Sequence, residues 1–451
     1  MTNNNAEQHL LKAAENLVLE AKKAGATASD AVAGQSLSVG VSVRNGVVED
    51  SENAESSSIA FRVFVGNRVA SVSADATADP KQLAERAVAM AKASPEDVSQ
   101  GLADPDVLAH DLIDLDLFDA TEPGADKFRE MALECEAAAL GIKGITNSVG
   151  ASAGYGSSGA VLVTSHGFSG TYKRSGFSVS ASVIAGEGTL MERDYDYSSR
   201  IYFSDLADPA TIGKNAGERA VRRLNPGKLE TGMQTIVLDP RVARSIAGHL
   251  SGAINGISIA RKTSFLRDQM GCQILPKGFH VTDNPLIKRR GASRPFDGEG
   301  VRGQPLDIVI DGVLQCWLLS SSAARELGLK TNGRGSRGGS GVGPSSTNFA
   351  FEPGDISPEE LIKSVGNGIY VTEVIGQGVN MITGQYSRGA SGFLIENGEI
   401  TRPVSEFTIA SDLQTMFKRL VLANDVDRTY STAAPTIAVE GMMIGGASAA
   451  A

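Results

Sequence analysis

Several residue types are scarce in this chain, and each scarcity excludes a class of protein. Aromatic residues make up 5% of the 451 residues, with one Trp. The five histidines, His9, His110, His166, His249 and His280, form no HxH or HExxH pair, so no close metal-ligand spacing stands out. Three cysteines, Cys135, Cys272 and Cys316, lie far apart without CxxC spacing. This argues against a disulfide framework or zinc knuckle and suits reduced thiols in a core or interface. No segment approaches ~18 uninterrupted apolar residues, so no membrane span is expected. The first stretch, MTNNNAEQHLLKAAENLVLEAKKAG, is interrupted by acidic residues and lacks a signal-peptide core, and a cytoplasmic location is expected. Basic charge is lacking too: the net charge is -10 and the pI about 5.2, whereas nucleic-acid binding needs a concentrated cationic face. The densest basic stretch, Lys288, Arg289, Arg290 and Arg294, lies among Gly and Pro and reads as a solvated loop. No nucleic-acid partner is expected.

Glycine is abundant, at 51 residues, and predicts many turns, bulges and close backbone approaches. Chain length calls for two or more domains. Ala6 to Ala24 has the period of an amphipathic helix, stopped by Gly25. The period then becomes two: Ala31 to Arg44, the Asn45-Gly46 turn, Val47 to Ser51, then Ser57 to Val65, Gly66-Asn67 and Arg68 to Ser73 predict an antiparallel meander. Asp79-Pro80 opens a second helix to Ala93. An acidic connector (94–125), a helix at Lys127 to Ala139, two or three strands within 145–189 and a helix at Ala210 to Leu224 follow. Asn225-Pro226-Gly227 is a domain boundary. Beyond it come short strands between Gly-rich turns, with helices at Arg241 to Leu250 and Pro358 to Val365. The fold class expected is α+β: helices on antiparallel sheets in the N-terminal half, and mostly antiparallel β with Gly-rich loops in the C-terminal half. The division expected is 1–110, 111–228 and 229–451.

Two generic motifs fail their context tests. Gly150-Ala-Ser152-Ala-Gly154 fits GxSxG, but the residues after it read as strand, so Ser152 lacks the strained strand-to-helix turn of a nucleophile. Gly333-Arg-Gly335-Ser-Arg-Gly338 fits GxGxxG, yet no strand precedes it and no helix can follow. A flexible or substrate-facing loop is expected there.

The N-terminal meander, the run GIYVTEVIGQGVNMITGQYSRGASGFLIENGEITRPVSEFTIA and the terminal APTIAVEGMMIGG resemble landmarks of the TldD/PmbA family, in order and spacing. Zinc-bearing members of that family carry HExxxH on a helix, with a further ligand near the C-terminus. The segment here that looks equivalent is Arg244-Ser245-Ile246-Ala247-Gly248-His249. It keeps the second His as His249 but has Arg244 where the first would stand and Ser245 in place of the Glu. An Arg cannot be deprotonated in a protein and repels a dication, and a Ser hydroxyl is too weak a base to activate water. The stretch Asn424 to Ala434, where a Cys ligand would be sought, has none.

The resemblance is therefore to the PmbA/TldE branch, described as modulators of DNA gyrase. It implies a non-catalytic subunit, without metal of its own, of a metallopeptidase complex that encloses and trims unfolded or leader peptides. The implied partner is a TldD-like subunit bearing HExxxH and zinc, with homodimers when that partner is missing. Residues Gly376, Gln377, Gly378, Gly384 and Tyr386, and the loop from Thr331 to Asn348, are candidates for holding peptide backbone. Two alternatives stand beside this reading: a self-sufficient metallopeptidase using His249, His280 and carboxylates such as Asp268 or Asp283, and a gyrase- or antitoxin-related binding protein without peptidase activity.

Overall fold

The computed structural model describes residues 3–338 and 341–446. In the N-terminal half the elements are α1 (Asn3–Ala24), β1 (Ala28–Arg44), β2 (Val47–Val65), β3 (Arg68–Asp75), α2 (Pro80–Ala93), α3 (Ala125–Leu140), β4 (Ile145–Thr164), β5 (Ser169–Ala185), β6 (Glu192–Arg200) and α4 (Pro209–Arg222). The strands form one antiparallel sheet in the order β3-β2-β1-β4-β5-β6. Strand alternation decides which face is covered. Ala31, Ala33, Val41 and Val43 of β1 are buried, and the first pair packs under α1 and α2 while the second packs under α3 and α4. All four helices therefore share one face, and Gly34, Ser36, Ser38, Gly40 and Ser42 of β1 turn to the other.

The Asn45-Gly46 hairpin forms as expected. Both residues have positive φ, 51° and 75°, and both backbone N–H groups donate to the carboxylate of Glu136 on α3, at 2.8 Å each. One expectation needs correction. Val47–Ser51 and Ser57–Val65 are one strand, β2, whose polar middle pairs with β1 through Ser51 to Ser57. Its residues there are exposed, so no apolar alternation marks it. The 145–189 region holds two strands, β4 and β5, as expected, and a further strand follows at β6, where the sequence ERDYDYSSR is polar because the strand is at the sheet edge.

The C-terminal half contains the strands β7 (Gly232–Leu238), β8 (Val281–Asp283), β9 (Leu306–Ile310), β10 (Val313–Leu314), β11 (Gly335–Gly338), β12 (Gly341–Pro344), β13 (Phe349–Phe351), β14 (Gly368–Ile375), β15 (Gln385–Glu396), β16 (Glu399–Asp412), β17 (Leu420–Leu422), β18 (Thr432–Ala433) and β19 (Ile437–Gly445). Its helices are α5 (Pro240–Ala253), α6 (Gly256–Ala260), α7 (Ser321–Glu326), α8 (Pro358–Val365) and α9 (Leu413–Phe417). Strands β16-β15-β14-β7-β19 are consecutive neighbours, and β16 also pairs with β19, closing a five-stranded barrel. The β7–β14 pairing is parallel and the others in the barrel are antiparallel. A second sheet, β10-β9-β8-β13-β18, packs nearby, and α5 lies between the two against β14, β7, β13 and β18. Its Val242, Ala243, Ile246, Ala247, Leu250 and Ala253 are buried in the common core.

The expected flexible loop around Gly333 is instead the β11–β12 hairpin. Arg334 there is fully buried and ion-paired to Asp283 at 2.5 Å. A buried guanidinium with a matching carboxylate fixes a segment that glycine content alone reads as loose. Gly339 and Ser340 of that segment lie outside the described residues.

Candidate functional site

The site is built around the first turns of α5. Asp239 caps the helix by accepting from the Arg241 backbone N–H at 2.9 Å, with Pro240 at the first helical position, the arrangement that sequence preference favours. Tyr370 on β14 donates its hydroxyl to the other Asp239 oxygen at 2.9 Å. Burial, with Asp239 alongside, raises the Tyr370 pKa above its ordinary range, so it stays a donor.

Arg241 reaches out of the C-terminal half to Asp194 on β6, at 3.0 Å. Arg223, at the end of α4, joins the same group, lying 3.3 Å from Glu192, 3.6 Å from Asp194 and 2.5 Å from Glu373. Burial opposes the charge of Arg241, but Asp194 and Asp239 more than offset it and raise its pKa. Burial also raises the Glu192 pKa, despite Arg223. The two halves of the molecule meet here through a partly buried ion network.

Arg244 follows one turn later. Its guanidinium carbon sits 3.7 Å from the centroid of the Tyr430 ring, a close cation–π contact. The ring of Tyr430 meets Tyr197 edge-on at 5.8 Å, and Tyr197 stacks on Tyr195 at 6.2 Å. The stretch 424–434 does come back to α5, bringing an aromatic ring to Arg244. Ser245 donates its hydroxyl to the Val242 carbonyl at 2.7 Å. With Thr372, Val374, Arg193 and Tyr195 it lines a cavity of about 170 Å³. His249 is half-buried, 6.0 Å from the Tyr386 ring in an edge-on arrangement. Burial, helped by Arg388, pushes the His249 imidazole down to about 4, and burial pushes the Tyr386 phenol up to about 12. His249 Nε2, the Tyr386 hydroxyl and Thr372 Oγ1 are buried without a hydrogen-bond partner among the described residues.

The loop candidates separate. Gly376, Gln377 and Gly378 are exposed, although the Gly378 carbonyl accepts from Ser387 N–H at 2.6 Å. Gly384 is buried, and its carbonyl accepts from Leu413 N–H at 2.7 Å. Tyr386 is 1% exposed, on β15, so its ring belongs to the core beside His249 and not to an open loop. The Met381 carbonyl accepts from Phe265 N–H at 3.0 Å, which ties this loop to the segment following α5 and α6.

The alternative ligand set is not assembled. Asp283 is buried and committed to Arg334 and to the Thr347 backbone N–H at 2.6 Å. Asp268 is exposed and paired with Arg267, and His280 is exposed on a separate segment. Ser152 lies mid-strand in β4, its hydroxyl 2.9 Å from that of Ser180. Arg289 of the basic loop is paired with Asp116 and stacked on Tyr202.

The open face of the N-terminal sheet leads to α5. Register aligns Ser42 with Ser152, Ser152 with Ser180, and Ser180 with Tyr197, which touches Tyr430. Ser38, Gly40, Gly154 and Ser178 join this floor, which holds an open trough of about 340 Å³ rimmed by Asp50 and Glu52. Sequence reasoning did not single out Tyr195, Tyr197 and Tyr430, nor the ion network. The period-two tyrosines of DYDYSSR were the one signal, because they place two rings on one face of a strand.

The chain is similar to known proteins along most of its length. Domain 1 of the PmbA/TldA metallopeptidases matches residues 30–91, their central domain 118–224 and their C-terminal domain 231–446. The metalloprotease PmbA homologue of Haemophilus influenzae is 39% identical over 98% of this chain and 97% of its own length. The metalloprotease PmbA of Escherichia coli O157:H7 is 37% identical over the same shares. A crystal structure described as a modulator of DNA gyrase, from Bacteroides thetaiotaomicron, superimposes with a TM-score of 0.90 at 29% identity, covering 99% of both chains. The chain belongs to the PmbA/TldD family.

The names of these relatives imply a metal, and the residues present do not fit one. Among the described residues no three His, Cys, Asp or Glu side chains gather closely enough to share an ion. A cationic guanidinium stacked on Tyr430 stands where the first imidazole of the motif would be. No described helix is long and apolar enough to cross a membrane.

Proposed function

We propose that this chain is the non-catalytic, substrate-handling subunit of a cytoplasmic metallopeptidase complex whose zinc and HExxxH motif reside in a TldD-like partner. The observation that carries this reading is the filled motif on α5. Arg244 is packed against Tyr430, and the Ser245 hydroxyl is turned back onto its own helix. A positive charge held there disfavours a dication, and the position of the motif's general base is taken by the Ser245 hydroxyl, too weak a base to take a proton from water. The Ser and Gly floor of the N-terminal sheet, ending at the tyrosines beside α5, supports a role in holding extended peptide, since small side chains leave room for a backbone of any sequence.

The reading is tested by reconstitution. The purified chain alone should hold no stoichiometric zinc and should not cleave an unstructured peptide. Mixed with an HExxxH-bearing homologue from the same genome, it should co-elute and raise peptidase activity. About one equivalent of tightly bound zinc in chain never exposed to a metal-affinity column, or cleavage by this chain alone, would sink the proposal.

A further inference from the structure

Arg241 and Arg244 sit one turn apart on α5 in opposite situations. Arg241 is paired with Asp194 and lies 3.4 Å from Asp239. Arg244 has no carboxylate within ion-pair distance and no acceptor for its guanidinium among the described residues, and its one recorded contact is the Tyr430 ring. A guanidinium laid against an aromatic plane keeps its N–H edge free for a planar anion. The platform is itself braced, because Tyr430 leans on Tyr197, Tyr197 on Tyr195, and Tyr195 lies 5.8 Å from Arg241. The arc of rings thus starts and ends on one turn of one helix.

A cavity with polar walls adjoins α5 at Ser245. Thr372 Oγ1 is buried and unpartnered, and Thr372 shares a cavity wall with Ser245. One turn further, His249 Nε2 and the Tyr386 hydroxyl are also unpartnered, and Tyr386 is 1% exposed. Buried polar atoms are normally satisfied, so Thr372 Oγ1, on a wall it shares with Ser245, points to a polar guest in this cavity. The charge around the cavity selects among anions. Asp194 and Glu373 line it with Arg193, Arg223 and Arg241, and those carboxylates repel a phosphate dianion more strongly than a monoanion.

We propose that this face of α5 is a carboxylate site, in which Arg244 on its Tyr430 platform holds a carboxylate of a bound peptide, and the polar lining at Ser245 and Thr372 takes the adjoining peptide group. The inference rests on the reading that this chain handles peptide, and it assigns to the degenerate motif a binding task in place of catalysis. A chain terminus and an acidic side chain both offer the required group.

The test uses the full chain and an unstructured peptide, N-terminally labelled with a carboxylate-free BODIPY dye, in three forms: free C-terminal acid, C-terminal amide, and amide with one internal Glu. Binding is followed by anisotropy to the native chain and to the Arg244→Gln, Arg244→Lys and Tyr430→Leu variants, each checked for fold by circular dichroism. The free acid should bind roughly 10-fold tighter than the plain amide, the worth of one charge-assisted pair. Arg244→Gln should erase that preference while leaving the amide's affinity unchanged. Arg244→Lys should restore only part of it, because an ammonium cannot present a two-pronged edge, and Tyr430→Leu should weaken it. Arg244-dependent tight binding of the Glu-containing amide would support the carboxylate site and extend it to side chains. Equal binding of acid and amide, or an equal loss of both in Arg244→Gln, overturns the inference. So does the absence of binding by every peptide form, an outcome that leaves the subunit role to be decided by the reconstituted complex.

Discussion

Arg337 of the β11 hairpin places Nη2 2.7 Å from Oδ2 of Asp30 at the start of β1, tying the C-terminal half to the long N-terminal sheet. Asp30 also pairs with Arg62 on β2. Burial works against the Asp30 charge, but Arg337 and Arg62 outweigh it and lower the pKa of its carboxyl. Removing that charge leaves two mostly buried cations facing each other. Asp30→Asn should cost about 3–5 kcal/mol, read as a lower urea midpoint with both halves destabilised together.

Two separate groups set opposing responses to acid. Burial, with Glu299 alongside, pushes the Asp297 carboxyl up to about 6. Between about pH 4 and 6 the folded chain holds a proton that the unfolded chain releases, so this group makes stability fall as pH rises through that window. His249, pushed down to about 4, acts the other way. Below about pH 6.5 the unfolded chain binds a proton that the folded chain refuses, so stability falls as pH drops. Asp297→Asn should expose the histidine slope, with urea midpoints declining more steeply than in the native chain from pH 6.5 to 4. His249→Phe should show the reverse. Unchanged slopes in both variants would refute the assignment.

Helices α3 and α4 meet through a glycine. A Cβ on Gly213 would lie 1.9 Å from the Cys135 carbonyl oxygen, so Gly213→Ala must push the helices apart and should cost roughly 1–3 kcal/mol. Gly248 on α5 has nothing within 4 Å of the same built atom. There the substitution by Ala should raise stability by up to about 1 kcal/mol through helix propensity. Thermal unfolding of the two variants should therefore shift in opposite directions.

The cysteines should differ sharply in reactivity. Cys272 is exposed, whereas Cys135 is buried and burial pushes its thiol up to about 12; Cys316 is held up to about 11 by burial. Since the thiolate is the reactive form, iodoacetamide at pH 8 should label Cys272 first and leave Cys135 untouched until the chain unfolds. Peptide mapping by mass spectrometry reads the order.

Restoring two motif positions should restore metal affinity without activity. Arg244→His with Ser245→Glu supplies a second imidazole and a carboxylate, but a catalytic zinc takes three protein ligands. The contact between Arg244 and Tyr430 indicates where the third belongs, so adding Tyr430→Cys should tighten zinc binding beyond the double variant. Zinc titration and hydrolysis of an unstructured peptide check both steps. Full activity from the two substitutions alone would contradict this account.

Much of the fold was legible because local chemistry and tertiary need agree. Asp79-Pro80 and Ser357-Pro358 open helices, and Asn45-Gly46 turns a hairpin, where the side chains dictate each. The polar middle of β2 and the edge strand β6 were not legible, since neither faces a core and neither alternates. Closure of the barrel by β16 and β19 leaves no local trace, because pairing across distant segments is a property of the sheet. At the site, Arg244, Ser245 and His249 were readable only through the resemblance to the family's HExxxH motif, because one His in RSIAGH marks nothing by itself. The tyrosine that meets Arg244 was not, because Tyr430 lies 186 positions along the chain, counted from the two residue numbers.

The position of β19 bears on how the chain is made. It stands between β7, more than 190 residues earlier in sequence, and β16, so the cylinder has two raw edges until this strand arrives. A growing chain must keep β7 open through the synthesis of everything between it and β19, and β16 open until β19 follows. Loss of β19, whether by a premature stop or a clipped terminus, should leave an open sheet of β16-β15-β14-β7 whose exposed ladders recruit other chains.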